Sequence, residues 1–281
     1  MASFFDNTRP AKKISIGENT YDLPILYKRD DFMGLYYTAD ANRVKSILPT
    51  PRLHPITLPN GRAIVAIAAY NYQETSIGTY GEVVSGIPCV HGMKPLPFTG
   101  VLPVLMESRY PGFGVLVHHL PVTKIVARDA GRKIWGYTKF IANMHFELTP
   151  EHLECRMHED DQHILSFRVI RRGIYSVDTK PIITYSVKDR QLIKTIIPQK
   201  GTKRICLKTD GCFLKLGDHP VSKSLETLDL SEKPLMSIYY PERWAILPEG
   251  SVIEKNVKPF DGYIGNNSDG QHSVNGIKID C

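Results

Sequence analysis

Lys139 stands near the end of Gly131-Arg132-Lys133-Ile134-Trp135-Gly136-Tyr137-Thr138-Lys139-Phe140, behind a run of bulky apolar and aromatic side chains and shortly after two cations, Arg132 and Lys133. An aliphatic amine attacks a ketone only as the free base, and an apolar surrounding disfavours the charged form. The stretch makes Lys139 a candidate Schiff-base nucleophile. Because most lysines are exposed, an ordinary surface lysine on a strand stays open as the other reading.

Glu82 follows Tyr80 by two positions, so on a strand both side chains face the same way. A carboxylate beside a phenolic hydroxyl suits proton transfer, while an exposed strand glutamate is the plainer alternative. Tyr137 precedes Lys139 by the same step, with Trp135 extending that face. His118-His119 is the one adjacent pair among the ten histidines. Strand neighbours point to opposite faces, so at most one of the two can enter a given pocket. No phosphate loop, dinucleotide fingerprint or H-E-x-x-H helix occurs, so neither a cofactor nor a metal is expected.

The elements that must position these groups read as strands. Phe32 to Tyr37 is strand-like, and Asp40 then caps a short helix carrying Val44, Ile47 and Leu48 on one face before Pro49. Ala63 to Tyr70 reads as a buried strand whose small residues leave room on one face, enough to line a cavity. Further strands are expected within Tyr72 to Val90 and at Val115 to Leu120, Ile164 to Ile170, Ile182 to Val187, Arg204 to Lys208 and Leu235 to Tyr240. Twenty prolines and 21 glycines divide these runs at short intervals, as in a mainly β chain. The organisation expected is an arm over 1–25, a single domain over 26–258 and a polar, mobile tail over 259–281.

A chain of 281 residues with 42 % apolar and 23 % charged residues is in the globular range. Its 35 basic and 29 acidic side chains give +6 without a long run of like charge, which argues against a nucleic-acid partner. No apolar run is long enough to span a membrane and the start lacks the apolar core of a secretory signal, so a cytoplasmic protein is expected. Five scattered cysteines without a C-x-x-C pair fit reduced thiols.

The segment from Gly131 to Lys139 resembles the G-R-E-x-x-x-Y-P-K-K stretch of acetoacetate decarboxylases, with the same spacing from Gly-Arg to lysine. Thr79-Tyr80-Gly81-Glu82-Val83 with Gly86-Ile87-Pro88 is similar to the family's Tyr-x-Glu segment and the Ile-Pro after it. Leu192 to Pro198, Arg204-Ile205-Cys206 and Leu247 to Ile253 resemble later pieces, in the same order. The resemblance implies a mainly β (α+β) fold, a β-cone or barrel with a few short helices, and a homo-oligomer. It makes Lys139 the imine lysine and Glu82 the pocket carboxylate. Tyr80 and Tyr137 fall where the family places pocket aromatics, and Trp135, Phe140 and His118 are further candidates for contact with substrate. The family's arginine near the entrance strand falls within one position of Arg29, although the ungapped match gives Asp30.

Two departures stand out. The family's proline before the lysine is Thr138 here, and its second lysine is Phe140, so desolvation must supply more of the activation. Extra length around Arg109-Tyr110-Pro111-Gly112-Phe113-Gly114 could reshape the pocket for another substrate. The expected function is an imine-forming carbon–carbon lyase, foremost a decarboxylase of a β-keto acid. An imine-based aldolase, dehydratase or cyclase on a 2-oxo acid or polyketide-like ketone is the alternative, and a non-catalytic binder of an apolar small molecule is the rival from another class.

Overall fold

The structure, a computed structural model, describes residues 4–6, 8–95, 110, 112–260 and 262–266. An N-terminal hairpin of β1 (Lys12–Ile16) and β2 (Asn19–Leu23) precedes β3 (Ile25–Ala39), α1 (Ala41–Ser46), β4 (Leu53–Pro55), β5 (Ala63–Thr75), β6 (Tyr80–His91) and β7 (Phe113–His119). Next come α2 (Ile125–Ala130), β8 (Asn143–Leu148), β9 (His152–Glu159), β10 (Gln162–Ile170), β11 (Ile174–Asp178) and β12 (Ile182–Lys188). The described chain is completed by β13 (Gln191–Ile197), β14 (Gln199–Cys206), β15 (Phe213–Leu216), α3 (Pro220–Glu226), β16 (Met236–Leu247) and β17 (Ser251–Lys255). The protein is mainly β with few short helices, as the sequence pattern led one to expect.

Three sheets result: the β1-β2 ribbon, a four-stranded sheet in the order β15-β10-β9-β8, and a large sheet in the order β11-β14-β16-β3-β5-β6-β7-β12-β13-β17 with β4 attached to β6. The large sheet curls, so that β3, β5, β6, β7, β12, β13 and β16 all supply walls to one cavity. It is an open sheet, ending at β11 on one side and β17 on the other.

The two-residue period of a strand explains how both faces are used. On β5, Val65, Ile67 and Ala69 enter the main hydrophobic core together with Val83 and Ile87 of β6, Leu153 and Cys155 of β9, and Phe167 of β10. The alternate residues Ala66, Ala68, Tyr70 and Tyr72 face the cavity side. With both faces covered, these strands read as continuous apolar text instead of alternating polar and apolar. α1 follows the sequence closely: Asp40 accepts from the backbone N–H groups of Asn42 and Arg43, and Val44 is buried. Each large apolar side chain packed in this way contributes roughly 1.5–3 kcal/mol.

The described part of the arm is a hairpin whose Tyr21 and Leu23 are buried in a cluster with Trp135 and Tyr137. In the expected mobile tail, residues 259, 260 and 262–266 are described and lie docked against the domain as a strap. Phe260 is buried, the Tyr263 hydroxyl donates to Glu159 Oε2 at 2.5 Å, and the Asn266 N–H donates to Glu159 Oε1 at 3.0 Å. Residues 267–281 lie outside the described residues, as do Arg109 and Pro111 of the long loop before β7. Cys89, Cys155, Cys206 and Cys212 are free thiols.

Candidate active site

The lysine segment is helical and then irregular, where sequence reasoning had a strand throughout. α2 runs into a π-helical turn, Gly131–Trp135, which Gly136 ends with φ +69°. Only glycine suits that position: besides the left-handed backbone, a Cβ there would lie 2.5 Å from the Val187 carbonyl oxygen and the Lys188 Cβ. Beyond it the chain is irregular, with a tight turn at Thr138 closed by Lys139 N–H to Tyr137 O at 2.8 Å, and is held to its neighbours by Leu120 N–H to Thr138 O at 3.3 Å and Val122 N–H to Phe140 O at 2.9 Å. Tyr137 and Lys139 line the cavity, whereas Thr138 bonds to His118 O and Phe140 enters the main core.

Lys139 Nζ donates to Glu82 Oε2 at 2.6 Å, and only 5 % of Lys139 and 7 % of Glu82 is exposed. The Tyr72 hydroxyl donates to the other carboxylate oxygen of Glu82 at 3.1 Å. Tyr27 and Tyr80 share a hydroxyl–hydroxyl hydrogen bond of 2.9 Å, and Lys139 Nζ stands 5.8 Å from the centre of the Tyr80 ring. The Tyr137 hydroxyl pairs with Thr184 Oγ1 at 2.8 Å. Burial, and next the negative charge of Glu82, push the Tyr72 phenol well above its ordinary value. Burial pushes Tyr137 up to about 12. These phenols stay protonated across the neutral range and act as donors.

The cavity around this pair has a volume of ≈ 80 Å³ and is walled mainly by tyrosines and aliphatic side chains, among them Tyr70, Val84, Val117 and Leu120. One further charge lines it. Arg243 is 3 % exposed and makes a two-pronged ion pair with Asp30, Nε to Oδ1 at 2.9 Å and Nη2 to Oδ2 at 2.8 Å. Its guanidinium also lies 4.8 Å from the Tyr70 ring centre. Burial by itself would weaken the hold of Arg243 on its proton, but the Asp30 carboxylate outweighs burial and keeps the guanidinium charged. Both cations on the cavity wall thus have a carboxylate partner.

Of the residues expected from sequence, Lys139, Glu82 and Tyr137 line the cavity together. Tyr80 lies against the lysine without lining the cavity. Arg29 does not reach it: a register shift in β3 between Tyr27 and Asp30 turns Arg29 to the exposed side and Asp30 inward to Arg243. His118 is also displaced, because the β6–β7 register shifts between Ser85 and Gly86 and breaks alternation. The rings of His118 and His119 consequently lie side by side, 3.9 Å between centres, and both reach Ser224 Oγ. Trp135, at the end of the π-turn, is buried in the core and donates to Pro248 O at 2.8 Å. Phe140 turns away from Lys139 into the main core, edge-on to Tyr263 at 4.9 Å. Neither Trp135 nor Phe140 lines the cavity.

Arg132 works through the backbone. Its Nε donates to the Lys139 carbonyl at 2.6 Å and its Nη2 to the Ile264 carbonyl at 2.5 Å, which ties the C-terminal strap to the lysine segment. Thr138 Oγ1 donates to His118 O at 2.8 Å, and Gly262 passes so near that a Cβ would lie 2.3 Å from Thr138 Cγ2. Sequence reasoning missed Tyr27, Tyr70, Tyr72 and Arg243, and had Asp30 only as the ungapped alternative to Arg29. Tyr70 and Tyr72 carried a signal, since they share one face of a strand and pair across the ladder with Glu82 and Tyr80.

A buried amine in contact with a carboxylate, inside an aromatic-walled cavity at the centre of a curled sheet, is an arrangement suited to carbonyl chemistry. The sequence model of the acetoacetate decarboxylase family matches residues 8–240, and the chain belongs to that family. Among solved structures it is similar to acetoacetate decarboxylase from Legionella pneumophila, with 16 % identity, TM-score 0.60, and coverage of 83 % of this chain and 88 % of that one. It is also similar to an acetoacetate decarboxylase-like enzyme from Sphingomonas wittichii, with 13 % identity, TM-score 0.55, and coverage of 84 % and 95 %. The enduracididine biosynthesis enzyme MppR complexed with pyruvate shares the fold as well, at 11 % identity, TM-score 0.55, and coverage of 83 % and 91 %. No curated protein sequence matches the chain. Among the described residues no helix is long and apolar enough to cross a membrane.

Proposed function

We propose that the protein is an imine-forming lyase that decarboxylates a β-keto acid. The observation that carries this reading is the 2.6 Å contact between Lys139 and Glu82 inside the tyrosine-walled cavity. Transfer of the ammonium proton to Glu82 across that contact frees the amine. Lys139 attacks the ketone carbon, and the carbinolamine loses water, with Glu82 returning a proton to the departing oxygen. The bond to the carboxylate then breaks, its electron pair moves to the iminium nitrogen, and carbon dioxide leaves an enamine. Protonation at carbon and hydrolysis release the ketone and restore Lys139.

Electrostatics favour this outcome over simple binding. The substrate carboxylate enters a cavity whose two cations already have carboxylate partners, Lys139 with Glu82 and Arg243 with Asp30. It is poorly solvated there, and loss of carbon dioxide removes its charge. Tyr72 holds Glu82 in place and Tyr137 shapes the wall. Incubation with 3-oxobutanoate and borohydride is expected to add a permanent mass to the peptide carrying Lys139. Turnover with an unlabelled Lys139 would sink the imine mechanism.

A further inference from the structure

We infer that the Lys139 cavity continues into a second chamber that takes an apolar tail, so that the substrate is a 3-oxo acid with about four to six carbon atoms beyond the ketone, as judged from the chamber's volume. The position of the ketone rests on the imine reading above. The second chamber measures ≈ 130 Å³ and shares Tyr70, Val84, Val117, Ile182, Thr184 and Arg243 with the first.

Successive residues on one strand face show that the chambers lie end to end. On β6, Glu82 lines only the first chamber, Val84 lines both and Gly86 only the second. On β5 the same series runs Tyr72, Tyr70, then Ala68 and Ala66, and on β7 Val117 lines both while Val115 lines the second. At about 3.4 Å per residue, the four steps from Glu82 to Gly86 span about 14 Å, too long for a four-carbon acid to use.

The second chamber exists because its β5 and β6 positions are small. Where tyrosines stand beside the lysine, Ala66, Ala68 and Gly86 stand here, and the space they leave approaches the roughly 150 Å³ apolar cavity that holds a benzene ring. Its charged members are paired with each other. Asp178 accepts from Lys203 at 2.6 Å and from the Tyr240 hydroxyl at 2.7 Å, and Arg243 is held by Asp30. What remains for a ligand is chiefly aliphatic and aromatic surface, including Phe32, Ile205 and Ile238.

The test compares 3-hydroxyoctanoate with 3-hydroxybutanoate by calorimetric titration, since neither can form an imine. Burial of each methylene is expected to tighten binding about four-fold, so the longer acid should bind at least about a hundred-fold more tightly. Ala68→Leu fills the chamber and should cut that preference at least ten-fold, and Ala66→Leu, from a half-exposed position, should do the same. Equal affinities in the wild type, or an undiminished preference in both variants, would overturn the inference. If neither variant folds, the wild-type comparison decides alone. Borohydride trapping with 3-oxobutanoate reads the imine separately: failure there removes the lysine chemistry, whereas failure of the hydroxy-acid comparison removes the tail chamber.

Discussion

A Cβ on Gly131 would lie 2.4 Å from Cδ of Lys139 and 2.5 Å from its Cε, so the lysine reaches Glu82 by passing through the space that this glycine leaves empty. Gly131→Ala separates stability from activity. Alanine favours a helical backbone by up to about 1 kcal/mol, yet its methyl group must push Lys139 off its path. A displacement near 1 Å costs on the order of a hundred-fold in rate. Turnover should fall by that order while the melting temperature changes little. A variant with full activity would show that the lysine has another route to its partner.

Lys139→Ala and Lys139→Arg should both abolish turnover and borohydride labelling, because neither side chain forms an imine. In the alanine variant Glu82 stays buried without a cation, whereas arginine still supplies one, so alanine destabilises the protein more. Mass spectrometry and thermal melting read the two effects independently. Residual turnover above about one part in a thousand in both variants would show that another group carries the chemistry.

The Asp30–Arg243 pair predicts a stability effect that returns when both charges go. Asp30→Ala strands a buried guanidinium and should cost about 3–5 kcal/mol, whereas Asp30→Ala combined with Arg243→Met should recover most of the loss. Urea titration of the three proteins checks this. Equal losses in the single and the double variant would mean that the two residues are not coupled.

Acid should weaken the fold through the histidine pair. Burial holds His118 down to about 4, and it lowers His119 well below its ordinary value, with His118 next to it adding to the effect. The unfolded chain, in which histidine titrates near 6.5, therefore binds more protons than the folded one between those values. Stability is complete above about pH 6.5 and is lost as pH falls towards 4, by about 3 kcal/mol from His118. His118→Asn should flatten the pH dependence of urea midpoints in that window. An unchanged slope would show that His118 is already protonated in the folded protein.

Much of the strand framework and the lysine–glutamate pair was legible because short-range patterns encode them. Asp40 before an apolar face marks a helix start, the alanines of β5 mark space, and the order of Gly-Arg, Tyr and Lys marks the site. What escaped depends on where the sheet shifts register. The displacement at Arg29 exchanges an arginine for Asp30 on the inner face, and the one at His118 puts two histidines on the same side. Neither leaves a trace in residue type. Arg243 and Asp30 meet across the β3–β16 ladder from distant parts of the chain, and nothing near either one names the other. The turn at Trp135 escaped for a different reason: an apolar run fits a buried helix as well as a strand.

The strap over residues 262–266 bears on how the enzyme is made. Chains emerge from the ribosome N-terminus first, so β3 to β7 and the lysine segment are available to fold before Ile264 exists. Arg132 can hold the Lys139 carbonyl early, but its second carbonyl partner, Ile264, is made only well over a hundred residues later. The backbone of Lys139 is thus fully clamped only after Ile264 has been made, so a nascent chain carries the Lys139–Glu82 pair before the segment behind it is held.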